Sequence, residues 1–134
     1  MRFFMEQTHF EQSILWRKGA EYIVLSEEYT SSTKYSVAIA MLIHSIIKAN
    51  DSLTSKYLNT VAKKHDDARI LYQELIKKGF VQPQYASYSN IVQDAISNKA
   101  KAEYRAGYFS KNDYEEFKRK TDKFIAMVKE NLQV

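Results

Sequence analysis

Residues 35–47 read YSVAIAMLIHSII, and this stretch decides the fold. Apolar side chains point in nearly every helical direction, a pattern typical of a helix that is buried on several sides. The apolar pattern continues past the length of an ordinary strand. It therefore favours a helix from about Thr33 to Tyr57 over a β-strand at Tyr35–Ile43. In a chain of 134 residues, such a helix is either central or also packs against a second subunit.

Four more helical segments flank this stretch. Apolar spacing and end signals predict helices at about Thr8–Glu28, from His65 or Asp66 to Lys78, at about Ser89–Tyr108, and from Asp113 onward. The chain has one Pro and three Gly, which disfavours all-β folds built on tight turns, and the Pro lies in a predicted loop at Phe80–Ser89. The sequence predicts one all-α domain over residues 1–134, an up-and-down bundle of about five helices.

Periodic apolar positions predict which helix faces point into the bundle. The expected inner positions are Phe10, Ile14, Trp16 or Arg17, Tyr22 and Leu25 in the first helix; Ile91, Ala95, Ala102 and Tyr104 or Arg105 in the fourth; and Tyr114, Phe117, Phe124, Met127 or Val128, and Leu132 in the last. We expect Gly107 to close the fourth helix. Ser110 and Asp113 then form a near capping box for the last one.

Composition and charge exclude several classes of protein. Cys is absent, so disulfides, thiolate nucleophiles and Cys-ligated metals are excluded. The longest apolar run, Val37–Ile43, is far below the roughly 20 residues that span a bilayer, and Met1–Met5 is too short for a signal-peptide core. We therefore expect a soluble cytoplasmic protein that does not bind membranes. The formal net charge of +4 divides equally between residues 1–64 and 65–134, so the chain has no basic tail.

The histidines give no sign of a metal or cofactor site. His9, His44 and His65 are not at metal-ligand spacing on one helix, and no phosphate-binding Gly loop or nucleophile elbow is present. We expect neither a metal nor a cofactor. His44, inside the apolar helix, fits a hydrogen-bonded core or interface histidine better than a ligand.

A basic cluster around His65 is the strongest candidate site. It consists of Lys56, Lys63, Lys64, His65 and Arg69, and it straddles the end of the long helix, the bend after it and the next helix start. His65 is suited to general acid/base chemistry at a phosphodiester, with Lys or Arg neutralising the phosphate. The alternative interpretation is a set of solvated loop lysines beside a helix-capping histidine.

The chain also contains ten tyrosines. Five of them are candidates either for stacking on bases or for packing within the bundle: Tyr85, Tyr88, Tyr104, Tyr108 and Tyr114.

The sequence resembles the HEPN superfamily (higher eukaryote and prokaryote nucleotide-binding domain). Ser36–Ser45, which ends in His44-Ser45, is followed about twenty residues later by Lys63-Lys64-His65, similar to the family's long helix, short loop and K-x-H helix start. Lys101–Tyr104 and the stretch from Phe117 to Leu132 are similar to the family's C-terminal part. The resemblance covers about residues 10–132.

This resemblance implies a homodimeric bundle that works with RNA or nucleotides. Many HEPN proteins are metal-independent ribonucleases or toxins, and others partner a minimal nucleotidyltransferase. In the ribonucleases an Arg precedes the His by four to six intervening residues, where this chain has Leu58, Asn59 and Thr60. A modified Tyr follows two residues after the His in another subgroup, and this chain has Asp67 there.

We therefore expect a HEPN-like accessory protein, leaning towards no catalysis of its own, in a context like that of toxin–antitoxin systems. It would bind a nucleotidyltransferase partner, a nucleotide or RNA through the basic cluster, and would dimerise through Tyr35, Ile39, Ile43, His44 and Ile47. The rival hypothesis is a metal-independent ribonuclease, with His65 as general acid/base and Lys56, Lys64 or Arg69 as support. A third hypothesis is a purely structural helical interaction module.

Overall fold

The computed structural model describes residues 2–105 and 108–133, with side chains from residue 5 onward. The described parts of the chain contain five α-helices and one short 3₁₀ helix, and no strand. They are α1 (Arg2–Leu25), α2 (Ser31–Leu58), α3 (Asp67–Lys77), the 3₁₀ helix (Pro83–Tyr88), α4 (Ser89–Tyr104) and α5 (Lys111–Leu132). The predicted all-α bundle is confirmed.

Helix α2 is the centre of the bundle. Helices α1, α3, α4 and α5 all pack against it. Its apolar residues Ile39, Leu42, Ile43, Ile46 and Leu53 are completely buried. The helix is thus buried on several sides by the chain's own elements, as its apolar pattern predicts.

Helices α1 and α2 form an antiparallel hairpin that is joined by two buried serines. The Ser13 hydroxyl donates to the Ser45 carbonyl oxygen (2.7 Å), and the Ser45 hydroxyl donates to the Ser13 carbonyl oxygen (2.8 Å). Gly19 faces Met41, whose Sδ would lie 3.5 Å from a β-carbon at that position. Small residues therefore let the two helices approach closely, and the reciprocal hydrogen bonds fix their register.

Helix α5 packs against α2 through one apolar face. The predicted positions Tyr114, Phe117, Phe124 and Leu132 are all buried. The predicted capping box is also present. Ser110 accepts a hydrogen bond from the Asp113 backbone N–H, and the Asp113 carboxylate accepts one from the Ser110 N–H. This reciprocal cap satisfies two backbone N–H groups at the helix start.

The connection between α3 and α4 is more ordered than the predicted loop. Gly79, just after α3, has φ +78°, a left-handed conformation that favours Gly. Residues 83–88 form the 3₁₀ helix, and the hydroxyl of the buried Tyr72 donates to the Tyr85 carbonyl oxygen (2.8 Å). This hydrogen bond anchors the segment to the core.

Several predicted inner positions are exposed instead. Tyr22 and Leu25 of α1 are 77% and 73% exposed, because α1 packs mainly against α2 and has only a few contacts with α5. Tyr104 is 81% exposed, since the inner face of α4 is formed by smaller residues such as Ala95 and Ala102. The expected helix-closing role of Gly107 lies outside the described residues.

Most of the residues predicted for a subunit interface are buried in the core of the chain itself. Ile39 and Ile43 have no exposed surface, and Ile47 is 6% exposed. Their side chains are therefore not available to a second subunit, a correction that follows from α2 being surrounded by four helices of the same chain. Tyr35 and His44 are only partly buried. No described helix has the length and hydropathy needed to cross a bilayer.

Candidate functional site

The structure places two histidines, a carboxylate, a lysine and a tryptophan at one site. We call this site the histidine cluster: Trp16 of α1, His44 of α2, His65 in the turn before α3, and Lys99 and Glu103 of α4. Because α1 and α4 both pack on α2, residues far apart in sequence meet around the middle of α2.

The Glu103 carboxylate contacts both His44 and Lys99. Its Oε1 lies 3.3 Å from His44 Nε2 and 3.1 Å from Lys99 Nζ. Lys99 precedes Glu103 by four residues on α4, so one helix face presents both charges. Partial burial alone would raise the pKa of Glu103, but hydrogen bonds and the charge of Lys99, together with His44, lower it. The carboxylate is therefore ionised at neutral pH and holds the His44 ring.

Trp16 fixes the other side of His44. The two rings stack with their centroids 4.8 Å apart and their planes 25° from parallel. Trp16 lies one turn after Ser13, and His44 precedes Ser45, so the serine pair between α1 and α2 brings the two rings together. His44 is thus held by both a carboxylate and an aromatic ring.

His65 is the exposed member of the cluster. It lies in a turn in which its carbonyl oxygen accepts the Ala68 N–H (3.0 Å). Partial burial lowers its pKa, and the nearby Lys99 and His44 lower it further, against weaker raising effects of Glu103 and Asp66. At neutral pH the imidazole is therefore uncharged and keeps a free lone pair, which is the state of a general base.

Lys56 does not belong to this site. It follows His44 by twelve residues on α2, a distance of about 18 Å along the helix axis. Its ammonium group donates to the Leu132 carbonyl oxygen at the end of α5 (3.1 Å) and lies 5.3 Å from the centroid of the Tyr57 ring. The prediction that Lys56 and His65 share one site is therefore wrong. Lys56 lies far along α2 from His44 and contacts the end of α5 instead.

The other predicted basic residues stay near His65 in sequence but differ in environment. Lys63 and Lys64 are exposed. Lys63 borders a cavity of about 260 Å³ between the bend and α3, which Asp67 also lines. The Nε of Arg69 is buried and has no hydrogen-bond partner. Of the five residues in the predicted cluster, His65 is the one that belongs to the histidine cluster.

The sequence interpretation missed Trp16, Lys99 and Glu103, and it assigned His44 to a subunit interface. The only local signal was the i,i+4 spacing of Lys99 and Glu103. In the described parts of the chain, no three His, Asp or Glu side chains are arranged to hold a metal ion.

Comparisons with protein families, with curated proteins and with solved structures find no match to this chain. The HEPN resemblance therefore stays a prediction.

Proposed function

We propose that this chain is a cytoplasmic, non-catalytic binding protein for phosphate-containing ligands, RNA or a nucleotide, at the histidine cluster. The observation that carries the proposal is the exposed His65, which lies close enough to His44 and Glu103 for their charges to shift its pKa. When it is protonated, the His65 imidazole can donate a hydrogen bond to a phosphate oxygen. The stacked Trp16 ring, 37% exposed, adds an aromatic surface next to them.

The charges of the site predict how a phosphate would be held. Lys99 is paired with Glu103, and Lys63 and Lys64 are followed, after His65, by Asp66 and Asp67. The fixed charges of these residues therefore nearly cancel. Protonation of the His65 imidazole supplies the extra positive charge. Binding of an anion should accordingly strengthen as the pH falls.

The second candidate is metal-independent RNA cleavage, and the lowered pKa of His65 together with a second held imidazole favours it. Neutral His65 would take the proton of a ribose 2′-hydroxyl, whose oxygen then attacks the adjacent phosphorus. The bond to the 5′-oxygen breaks, and that oxygen receives a proton from His44. The products are a 2′,3′-cyclic phosphate and a 5′-hydroxyl, with no change in oxidation state.

A homodimer and a minimal nucleotidyltransferase partner are further parts of the proposal, and they rest on the HEPN resemblance. Since Ile39 and Ile43 are buried in the chain, a dimer would use another surface. The outer face of α1 is suited to this role, because it exposes Leu15, Tyr22 and Leu25. Light scattering at micromolar concentration tests the dimer, and a monomer would contradict it.

One experiment separates the two activities. Labelled mixed-sequence RNA is incubated with wild type, His65→Ala and His44→Ala in EDTA at low salt, and both fluorescence anisotropy and product formation on a gel are followed. His9→Gln, a histidine on α1 outside the cluster, is the matched control, and circular dichroism verifies folding.

Binding without cleavage, weakened in His65→Ala and unchanged in His9→Gln, supports the binding function. Cleavage by wild type and the control that is lost in both cluster variants supports the ribonuclease. Absence of both binding and cleavage in folded wild type at pH 6 would refute both proposals.

A further inference from the structure

The C-terminal end of α4 and the segment after it carry a second group of aromatic and basic residues, all of them exposed except the partly buried Lys101. We call it the aromatic–basic patch: Lys101, Tyr104, Arg105 and Tyr108. Tyr104 is 81% exposed and Tyr108 is 50% exposed. Tyr104 is outside the core, because the inner face of this part of α4 is formed by Ala102. Tyr108 lies after α4 and contacts the buried Phe109 edge-on, with the ring centroids 5.0 Å apart.

Tyr108 orders the two cations of the patch. Lys101 Nζ lies 5.4 Å and Arg105 Cζ lies 5.9 Å from the centroid of its ring. Both distances are within the range of a cation–π interaction. Holding two long side chains in place before a ligand arrives reduces the entropy lost on binding. The ring of Tyr104 is left with most of its surface in water.

The charge of the patch is positive, and the acidic side chains around it have other partners. Asp113 and Glu116 line a cavity together with Tyr108, but Asp113 accepts from the Ser110 N–H and Glu116 pairs with Lys120. Lys101 and Arg105 contribute two positive charges, whereas the carboxylate of Glu103 is paired with Lys99 at 3.1 Å and with His44 at 3.3 Å. Clustered cations beside an open aromatic ring are the combination that single-stranded nucleic acid requires, because bases stack on the ring while cations contact the phosphates.

We propose that the aromatic–basic patch binds a single-stranded RNA segment that continues from the histidine cluster, with a base on Tyr104 and phosphates at Lys101 and Arg105. This inference rests on the proposed RNA-binding function, and it names the ligand as an unpaired strand rather than a mononucleotide or a duplex. Only unpaired bases expose their faces for stacking.

The two sites are close enough for one short strand. Glu103 of the histidine cluster and Tyr104 of the patch are consecutive residues. Lys99 and Tyr104 are five residues apart, about 8 Å along the helix axis. Two or three stacked nucleotides, at about 3.4 Å each, cover that length.

The first test compares binding of a labelled 12-nucleotide RNA by wild type, Tyr104→Ala and Tyr104→Phe, measured by fluorescence anisotropy at 50 mM salt. Removing the ring should weaken binding about tenfold, since one stacked base contributes that order of affinity. The Phe variant should bind as wild type does, because it keeps the stacking surface. Tyr29→Ala, which removes an exposed ring from the connection between α1 and α2, is the matched control and should have no effect.

The second test measures how binding depends on salt. For a single strand, each lost phosphate contact should flatten the plot of log affinity against log salt concentration by about 0.7. Lys101→Gln combined with Arg105→Gln should therefore flatten it by about 1.4. The paired control, Lys77→Gln with Lys78→Gln at the end of α3, should leave the slope unchanged.

The outcomes distinguish this inference from the proposed function. If wild type binds the RNA and His65→Ala weakens it, but Tyr104→Ala does not, the patch proposal is overturned and the binding function stands. Equal affinity for the 12-mer and its duplex would also overturn it. If wild type binds no RNA at all, the proposed function itself has failed.

Discussion

Asp51 offers a direct test of how burial affects this bundle. The residue lies in α2 and is only 6% exposed, and its Oδ1 has no hydrogen-bond partner. Burial raises the pKa of its carboxyl from the ordinary 3.8 to about 6, although Lys48 and the backbone N–H of Ala62 act in the opposite direction. We predict that Asp51→Asn stabilises the protein at neutral pH.

The magnitude follows from the two pKa values. Between pH 3.8 and about 6, the folded chain keeps a proton at Asp51 that the unfolded chain has lost. Stability therefore falls as the pH rises through this window. With about 1.4 kcal/mol for each pH unit, the full penalty above pH 6 is about 3 kcal/mol. Removing the charge should recover most of it at pH 8 and almost none at pH 3.5.

Urea unfolding followed by circular dichroism at pH 8 and pH 3.5 measures this difference. The free energy of unfolding of Asp51→Asn should exceed that of wild type by about 3 kcal/mol at pH 8, with the two nearly equal at pH 3.5. Asp66→Asn, a change at an exposed carboxylate, is the control and should have a small effect at both pH values. A gain of the same size at both pH values, or a loss at pH 8, would refute the reasoning.

Three further predictions concern other parts of the molecule. Phe124 is completely buried and packs against Tyr72, so Phe124→Ala should cost about 3–5 kcal/mol of unfolding free energy in urea; a cost below 1 kcal/mol would contradict the described core. Ser110→Ala removes the accepted hydrogen bond from Asp113 and should cost about 1 kcal/mol by the same assay, and no loss would mean that the cap is not formed. RNA affinity should rise as the pH falls through the lowered pKa of His65, by up to about tenfold per pH unit for one linked proton, and titration by anisotropy should show a weaker dependence in His65→Ala.

Local patterns were enough to predict the helices that carry a strong stripe. The last helix was predicted with its buried face and its cap, because Tyr114, Phe117 and Phe124 repeat at helical spacing and Ser110 precedes them at the start. The long helix was predicted because a helix that is apolar on all sides has to be buried by its neighbours, which in a small protein places it at the centre. Helix α1 shows the limit: Tyr22 and Leu25 extend its apolar pattern, yet only one face of α1 is covered.

The histidine cluster could not be predicted in the same way. His44 and Glu103 are 59 residues apart, and their contact depends on how α4 lies across α2. A histidine inside an apolar helix fits a core or interface position equally well until the neighbouring helix is known. The basic cluster was predicted from closeness in sequence. In the structure Lys56 lies near the end of α2, twelve residues after His44, whereas His65 belongs to the histidine cluster around His44.

The serine pair between α1 and α2 has a consequence for rebuilding the chain. Because Ser13 and Ser45 set the alignment of the two helices, the connection at 26–30 is not needed to set it. The first turns of α1 and the last turn of α5 lie at one end of the bundle, since Gln7 and Leu132 line the same cavity of about 400 Å³. A circular permutant that begins within residues 27–29 and joins the old ends with a short flexible linker should therefore fold with Trp16 still stacked on His44.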